Sequence, residues 1–184
     1  MNCQTRYGHL PVMSILVEAV SVIILRSALE RKYPGGFDAF MRLLASRRSL
    51  EHRYVCSDPH LVSLSYFTPD AADRGAELLT HAGLIEIQDN EFIDFAIVDQ
   101  QYGPTLQCLW LAWHREPRGF TRAWLAGELP GGLSAPDGWT PDHALRIKRI
   151  DIREIPSRAL KLAEEDGVET WLDFTTGRIT VGRP

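Results

Sequence analysis

The stretch LVEAVSVIILRSALE, Leu16 to Glu30, decides how the rest of the chain is read. From Leu16 to Leu25 the alternating positions are apolar on both sides, which predicts a central strand buried on both faces. Ser27 and Glu30 then have the spacing of a capping box, so a helix should begin where the strand stops. Tyr33-Pro34-Gly35-Gly36 breaks that helix. Phe37, Phe40, Met41 and Leu44 recur at helical spacing beyond it and predict a second segment packed on a sheet.

Working outward, Glu51 to Cys56 and Leu61 to Phe67 read as strands flanking the turn Ser57-Asp58-Pro59-His60. Thr68-Pro69-Asp70 supplies an N-cap, a proline at the first helical position and an acid in the first turn, and Gly83 ends that helix. Ala71, Leu78, Leu79 and Ala82 form its expected buried side. Phe92 to Val98 follows as a strand. The order strand, helix, strand, strand, helix, strand predicts an α+β chain with a ferredoxin-like βαββαβ core, an antiparallel sheet with both helices on one face. Alternation puts Ser63 and Ser65 opposite Val62, Leu64 and Tyr66, so the other face is half-polar: a solvated surface, a ligand cleft, or a contact with later chain.

The last third is mainly strand material. Cys108 to Trp113 and Phe120 to Leu125 read as strands, and Gly127 to Asp142 as a long loop pinned by Trp139. Ala144 to Ile155 predicts a half-exposed strand with a phase slip at Arg149. Ala159 to Ala163, Val168 to Phe174 and Arg178 to Val181 form a meander between Asp166-Gly167 and Thr176-Gly177 turns, a helix over Ser157 to Glu165 being the alternative for the first. This divides the chain into an N-terminal extension (1–12), the α+β core (13–115) and a β-rich C-terminal extension (116–184) packed on the core as one unit.

Composition narrows the function classes. The 184 residues suit one domain, and 20 Lys plus Arg against 24 Asp plus Glu give a net charge of −4, the wrong sign for a nucleic-acid surface. Cys3, Cys56 and Cys108 form no closely spaced pair, which fits a reducing cytoplasm. The apolar run from Leu10 to Leu25 is interrupted by Glu18 and falls short of the ~20 residues of a membrane span. None of the six histidines pairs at metal-ligand spacing, and neither a nucleophile elbow nor a phosphate loop is present, so no metal, cofactor or catalytic residue is assigned.

One polar run stands out. Between the strands of Phe92 to Trp113 lie Asp99, Gln100, Gln101, Tyr102 and Thr105, followed by Trp110. Two readings stand side by side: the side chains hold a Gly-Pro turn through backbone hydrogen bonds, or they edge an apolar pocket with Trp110 or Tyr66 and meet a ligand or partner.

The segments EAVSVIILRSALERKYPGGFDAF (18–40) and DFAIVDQQYGPTLQCLWL (94–111) resemble a family of small bacterial proteins of unknown function that share the Tyr-Pro-Gly-Gly and Val-Asp-Gln-x-x-Gly-Pro-Thr segments. The resemblance covers Leu16 to Trp113. It implies a bacterial origin and no particular activity.

Three functional readings follow. A non-catalytic binding or protein-interaction protein leads, because aromatic and polar surface material is present without reaction machinery. A small-molecule-binding module with a cleft against the half-polar sheet face is the second. An enzyme using Asp99, Cys108 or His114 is the third. Open sheet edges and five tryptophans favour a homodimer over a monomer, and neither nucleic acid nor membrane is an expected partner.

Overall fold

The computed structural model describes residues 12–46, 54–144, 148–149, 159–165, 168–173 and 178–182. Of the extension expected over residues 1–12 only Val12 is described, as the first residue of a strand; the start of the Glu51 strand and most of the Ala144 to Ile155 strand lie outside the described residues. Among the described residues the chain is mixed α+β with antiparallel pairing predominant.

The apolar run from Leu16 to Leu25 is two strands. β1 (Val12–Val17) and β2 (Val20–Leu25) are separated by Glu18 and Ala19, and Ala19 has φ +52°. A left-handed alanine costs about 1–3 kcal/mol. Gln100 offsets this by reading both backbone groups of Ala19: its Oε1 accepts the Ala19 N–H at 3.1 Å, and its own N–H donates to the Ala19 carbonyl at 2.9 Å. Thr121 Oγ1 donates to the Gln100 carbonyl at 2.6 Å. Apolar periodicity continues through the break, which is why the pattern reads as one strand; the bend depends on a partner 81 residues away.

From β2 the chain runs directly into α1 (Arg26–Lys32). This helix starts one residue before Ser27 and has no side-chain cap. The expected capping box is therefore not formed. The Arg26 N–H is satisfied by the His60 carbonyl at 2.8 Å, and Glu30 turns to Arg26 Nε at 3.0 Å. After the Tyr33 to Gly35 turn, α2 (Gly36–Ser46) buries Phe40 and Leu44 and half-buries Phe37 and Met41, as its stripe predicts.

β3 (Tyr54–Ser57) and β4 (Leu61–Tyr66) form the predicted hairpin. Asp58 Oδ1 accepts the N–H groups of His60 (2.6 Å) and Leu61 (2.7 Å), the Asx geometry that an Asp-Pro turn favours. Thr68 then caps α3 (Pro69–His81), its Oγ1 accepting the Ala71 N–H at 3.2 Å. The buried stripe of α3 is Ala71, Ala72, Gly75, Ala76 and Leu79. Leu78, expected inside, is 52% exposed, because one residue turns the helix about 100° away from that stripe. Beyond α3 come the short hairpin β5 (Ile87–Gln88) and β6 (Glu91–Phe92), then β7 (Phe95–Asp99) and β8 (Gly103–Pro104). Buried Asp94 knots this region together: its Oδ2 takes Lys32 Nζ at 2.6 Å and the Ile85 N–H at 2.7 Å.

The five-stranded sheet has the order β3-β4-β2-β7-β8, all pairs antiparallel. Its central strands are buried on both faces, as predicted for β2. One face carries α3, with Gly75 against Tyr66. The half-polar face is neither solvated nor a ligand cleft, because β1 covers it: Ser63 Oγ donates to the Leu16 carbonyl at 3.0 Å, and the Ser21 and Ser65 hydroxyls lie 3.0 Å apart.

β1 belongs to a second sheet with β9 (Leu111–Arg115), β10 (Thr121–Leu125) and β11 (Pro130–Ser134), in the order β11-β1-β10-β9. The division expected at residue 115 runs through the β9–β10 hairpin, and β1 pairs with both β10 and β11. Part of the predicted 127–142 loop is thus strand β11, parallel to β1. Alternation is invisible in Pro130-Gly131-Gly132 because those residues have no apolar side to show. Trp139 does pin the remainder: it meets Phe120 edge-on at 5.3 Å and donates from Nε1 to buried Glu18 Oε1 at 2.8 Å.

A third sheet contains β12 (Lys148–Arg149), β13 (Ala159–Glu165), β14 (Val168–Asp173) and β15 (Arg178–Gly182), in the order β12-β15-β14-β13. Its last three strands form the predicted meander, with a strand and not a helix over Ala159 to Glu165.

The exposed side of α3 is acidic. Burial raises the Asp73 carboxyl above its usual value, with Asp70 and Glu77 adding repulsion; burial, then Asp73, does the same to Glu86. A carboxyl with a raised folded pKa binds its proton more tightly in the native state, so stability falls as pH rises from its unfolded value through the folded one. Asp73→Asn should therefore raise the melting temperature at pH 7, by the few tenths of a kcal/mol typical of like-charge pairs on one helix face. At pH 3, where both states are protonated, thermal melts should show no difference between variant and parent.

Candidate functional site

The predicted polar run forms the β7–β8 hairpin turn, with Asp99 paired to Gly103. Asp99 Oδ1 accepts the N–H groups of Gln101 (2.7 Å) and Tyr102 (3.2 Å), the turn-holding role. Gln100 is buried and clamps Ala19. Trp110 donates from Nε1 to the Phe92 carbonyl at 3.0 Å, so its indole ties the segment before Leu111 to strand β6. Gln101 is half-exposed, and Tyr102 and Thr105 are exposed. Tyr66 lies buried beneath α3 and takes no part in the turn's surface.

The aromatic ring that joins the turn is Trp113, which the sequence pattern places only in a strand. Gly103 has φ +80°, and a Cβ built there would sit 2.3 Å from two carbons of the Trp113 ring. Glycine is required twice over, by the backbone angle and by the indole lying across it. A Gly-Pro turn followed nine residues later by a tryptophan holds the signal, legible only once the two edges are known to meet.

On this surface Tyr102 is 67% exposed, Leu109 65% and Trp113 36%. Strand β9, which carries Trp113, His114 and Arg115, ends the order of its sheet, and among the described residues no strand pairs with its outer edge.

Asp99, Cys108 and His114 have different surroundings. Asp99 Oδ1 holds two turn hydrogen bonds. Burial pushes the Cys108 thiol up to about 11, with Glu91 adding to the shift, so the nucleophilic thiolate is scarce at neutral pH. Cys56, buried against the Leu16 carbonyl, is pushed up to about 12 by burial. His114 is exposed on β9. Among the described residues no three His, Cys, Asp or Glu side chains cluster to hold a metal ion, and no helix is long and apolar enough to cross a membrane.

A separate cleft of about 440 Å³ opens between the start of α1, the β3–β4 turn and the end of β10. No protein-family model, curated protein or solved structure matches the chain.

Proposed function

We propose that this chain is a non-catalytic interaction protein that docks a protein partner on the surface made by the 101–105 turn, Leu109 and strand β9. The supporting observation is the exposure of Tyr102, Leu109 and Trp113 beside an unpaired strand edge. Aromatic side chains anchor protein interfaces, and a free edge can add a strand from a partner through its backbone. A second copy of the chain is one such partner, since antiparallel pairing of two β9 strands would continue the sheet. Thr105 and Gln101 supply the polar rim. The cytoplasmic, bacterial setting belongs to the same reading.

The scaffold is read as a ferredoxin-like core with additions. Supporting this, β3, β4, β2 and β7 lie side by side in the order second, third, first, fourth along the chain, all antiparallel, with α1 and α2 in the first crossover and α3 in the second. The β8 edge and the β1-containing sheet are the additions. Scaffolds of this kind host many functions, so the fold does not choose the partner.

The test pairs Tyr102→Ala with Leu109→Ala. Both side chains are exposed, so melting should shift by no more than ~0.5 kcal/mol. Light scattering and affinity recovery from the native cells should show a homodimer or a stoichiometric partner for the parent, and at least tenfold weaker association for the double variant. A parent that is monomeric and partnerless, or a double variant that keeps its partner, defeats this reading. Turnover of a substrate that is lost in Asp99→Asn, with the fold intact, would promote the enzyme reading.

A further inference from the structure

We infer that the occupant of the interaction surface is a second copy of this chain, joined strand to strand through β9 in an antiparallel register whose two-fold axis passes through Trp113. The inference rests on the docking reading above and names its partner.

The ladder that β9 already makes decides which of its backbone groups face outward. Its bonds to β10 run through even-numbered residues: the Trp110 carbonyl accepts the Ala126 N–H at 2.8 Å, and the Glu116 N–H donates to the Phe120 carbonyl at 2.8 Å. In an antiparallel pair such bonds fall on alternate residues, so the backbone groups of Leu111, Trp113 and Arg115 point to the outer edge. The Leu111 N–H is engaged by the Cys108 sulfur. That leaves its carbonyl and both groups of Trp113 and Arg115, which no strand takes among the described residues. The pairing with β10 is regular from Arg115 to Leu111, with neither a bulge nor a proline to blunt the edge.

Two-fold symmetry then selects the register, because odd residues must face odd residues. With Trp113 on the axis, Trp113 exchanges both bonds with its own copy, and each Arg115 N–H meets the Leu111 carbonyl of the other chain. All of β9 is paired. Centring on His114 sets that residue against itself and brings Pro117, which has no N–H, into the ladder. Centring on Ala112 carries Arg115 past the end of the strand, opposite Leu109. Residues directly opposite share a face, so the two Trp113 indoles, exposed beside Gly103, cover each other as a cross-strand aromatic pair.

Charge agrees with this register. The exposed cations Arg115 and Arg118 lie at one end of β9. Half-buried Glu91 lies at the other, bridged to Gln107 just ahead of the strand. Antiparallel pairing lays the basic end of each copy along the acidic end of the other, and Arg115 comes opposite Leu111 rather than another cation. Complementarity of this kind sets orientation and register more than raw affinity.

Arg115→Pro tests the inference, because it removes only an outward N–H and leaves the bonds to β10 in place. In light scattering and sedimentation of the full chain, the parent should dimerise and Arg115→Pro should associate at least about tenfold more weakly, with melting close to the parent. Register is read separately by cross-linking under mild oxidation. Ala112 and His114 of opposite chains would face each other with Cα atoms about 4.5 Å apart, within disulfide reach. A mixture of Ala112→Cys and His114→Cys chains should therefore form a disulfide joining the two variants, and neither alone should cross-link above the parent. Self-cross-linking of either variant places the axis elsewhere and overturns the inference, as does an Arg115→Pro chain that folds and dimerises like the parent. If that variant folds poorly, the cross-link decides. A monomeric parent that keeps a different protein partner, lost in Tyr102→Ala with Leu109→Ala, overturns the second copy and spares the interaction reading; a parent without any partner defeats both.

Discussion

Gln100→Ala is expected to destabilise the protein by about 3 kcal/mol, through a buried backbone donor left unsatisfied (~1–3 kcal/mol) and the space left by a fully buried side chain. In a chain of this length that lowers the melting temperature by roughly 6–12 °C. The donor is the Ala19 N–H, held in its left-handed conformation by the lost Oε1. Gln100→Met separates the two contributions, since methionine restores volume without an acceptor. It should still lose about 1–2 kcal/mol. A methionine variant melting with the parent would show that Gln100 is merely filling space and that the bend needs no clamp.

The second large effect reverses a familiar sign. Gly75→Ala on an exposed helix surface would gain about 1 kcal/mol, yet here it should lose about 2 kcal/mol net. A Cβ at Gly75 would lie 2.2 Å from Tyr66 Oη and 2.7 Å from Cζ. Tyr66 is buried under α3, so its ring has little free space to swing into. Overpacking of this kind costs about 1–3 kcal/mol or more, and α3 must lift from the sheet to relieve it. Tyr66→Phe removes the nearest clashing atom. The double variant should therefore be more stable than the sum of the two single losses predicts, measured by denaturant titration. A stabilised Gly75→Ala would place α3 farther from the sheet than described.

What was legible in the sequence was local. Thr68, Pro69 and Gly83 bound α3 because caps and terminators act within one turn, and Asp58 and Asp99 organise their own turns for the same reason. What was illegible depends on chain met from far away. Leu16 to Leu25 reads as one strand because Ala19 carries no mark of a bend that Gln100 enforces. Ser63 and Ser65 suggest a wet face because nothing nearby announces that β1 will cover them. The candidate turn shows the same split: Asp99, Gln100 and Trp110 are recognisable as polar or aromatic, but their partners show them holding structure. Tyr102 and Thr105 remain on the surface, and Trp113 joins them only through Gly103.

The passage of β1 into β2 sets the timing of folding. On a growing chain, β2 finds β4 and β7 within some 80 residues, whereas Ile15 must wait for Ala123, roughly a hundred residues downstream. Until β10 emerges from the ribosome, Ile15 and Val17 lack the antiparallel neighbour they have in the finished sheet. Loop closure over such a distance yields no reward until it is nearly complete, so pairing of β1 with β10 is slow relative to the local hairpins. A nascent chain stopped at residue 115 would lack both strands, β10 and β11, that flank β1 in the finished sheet.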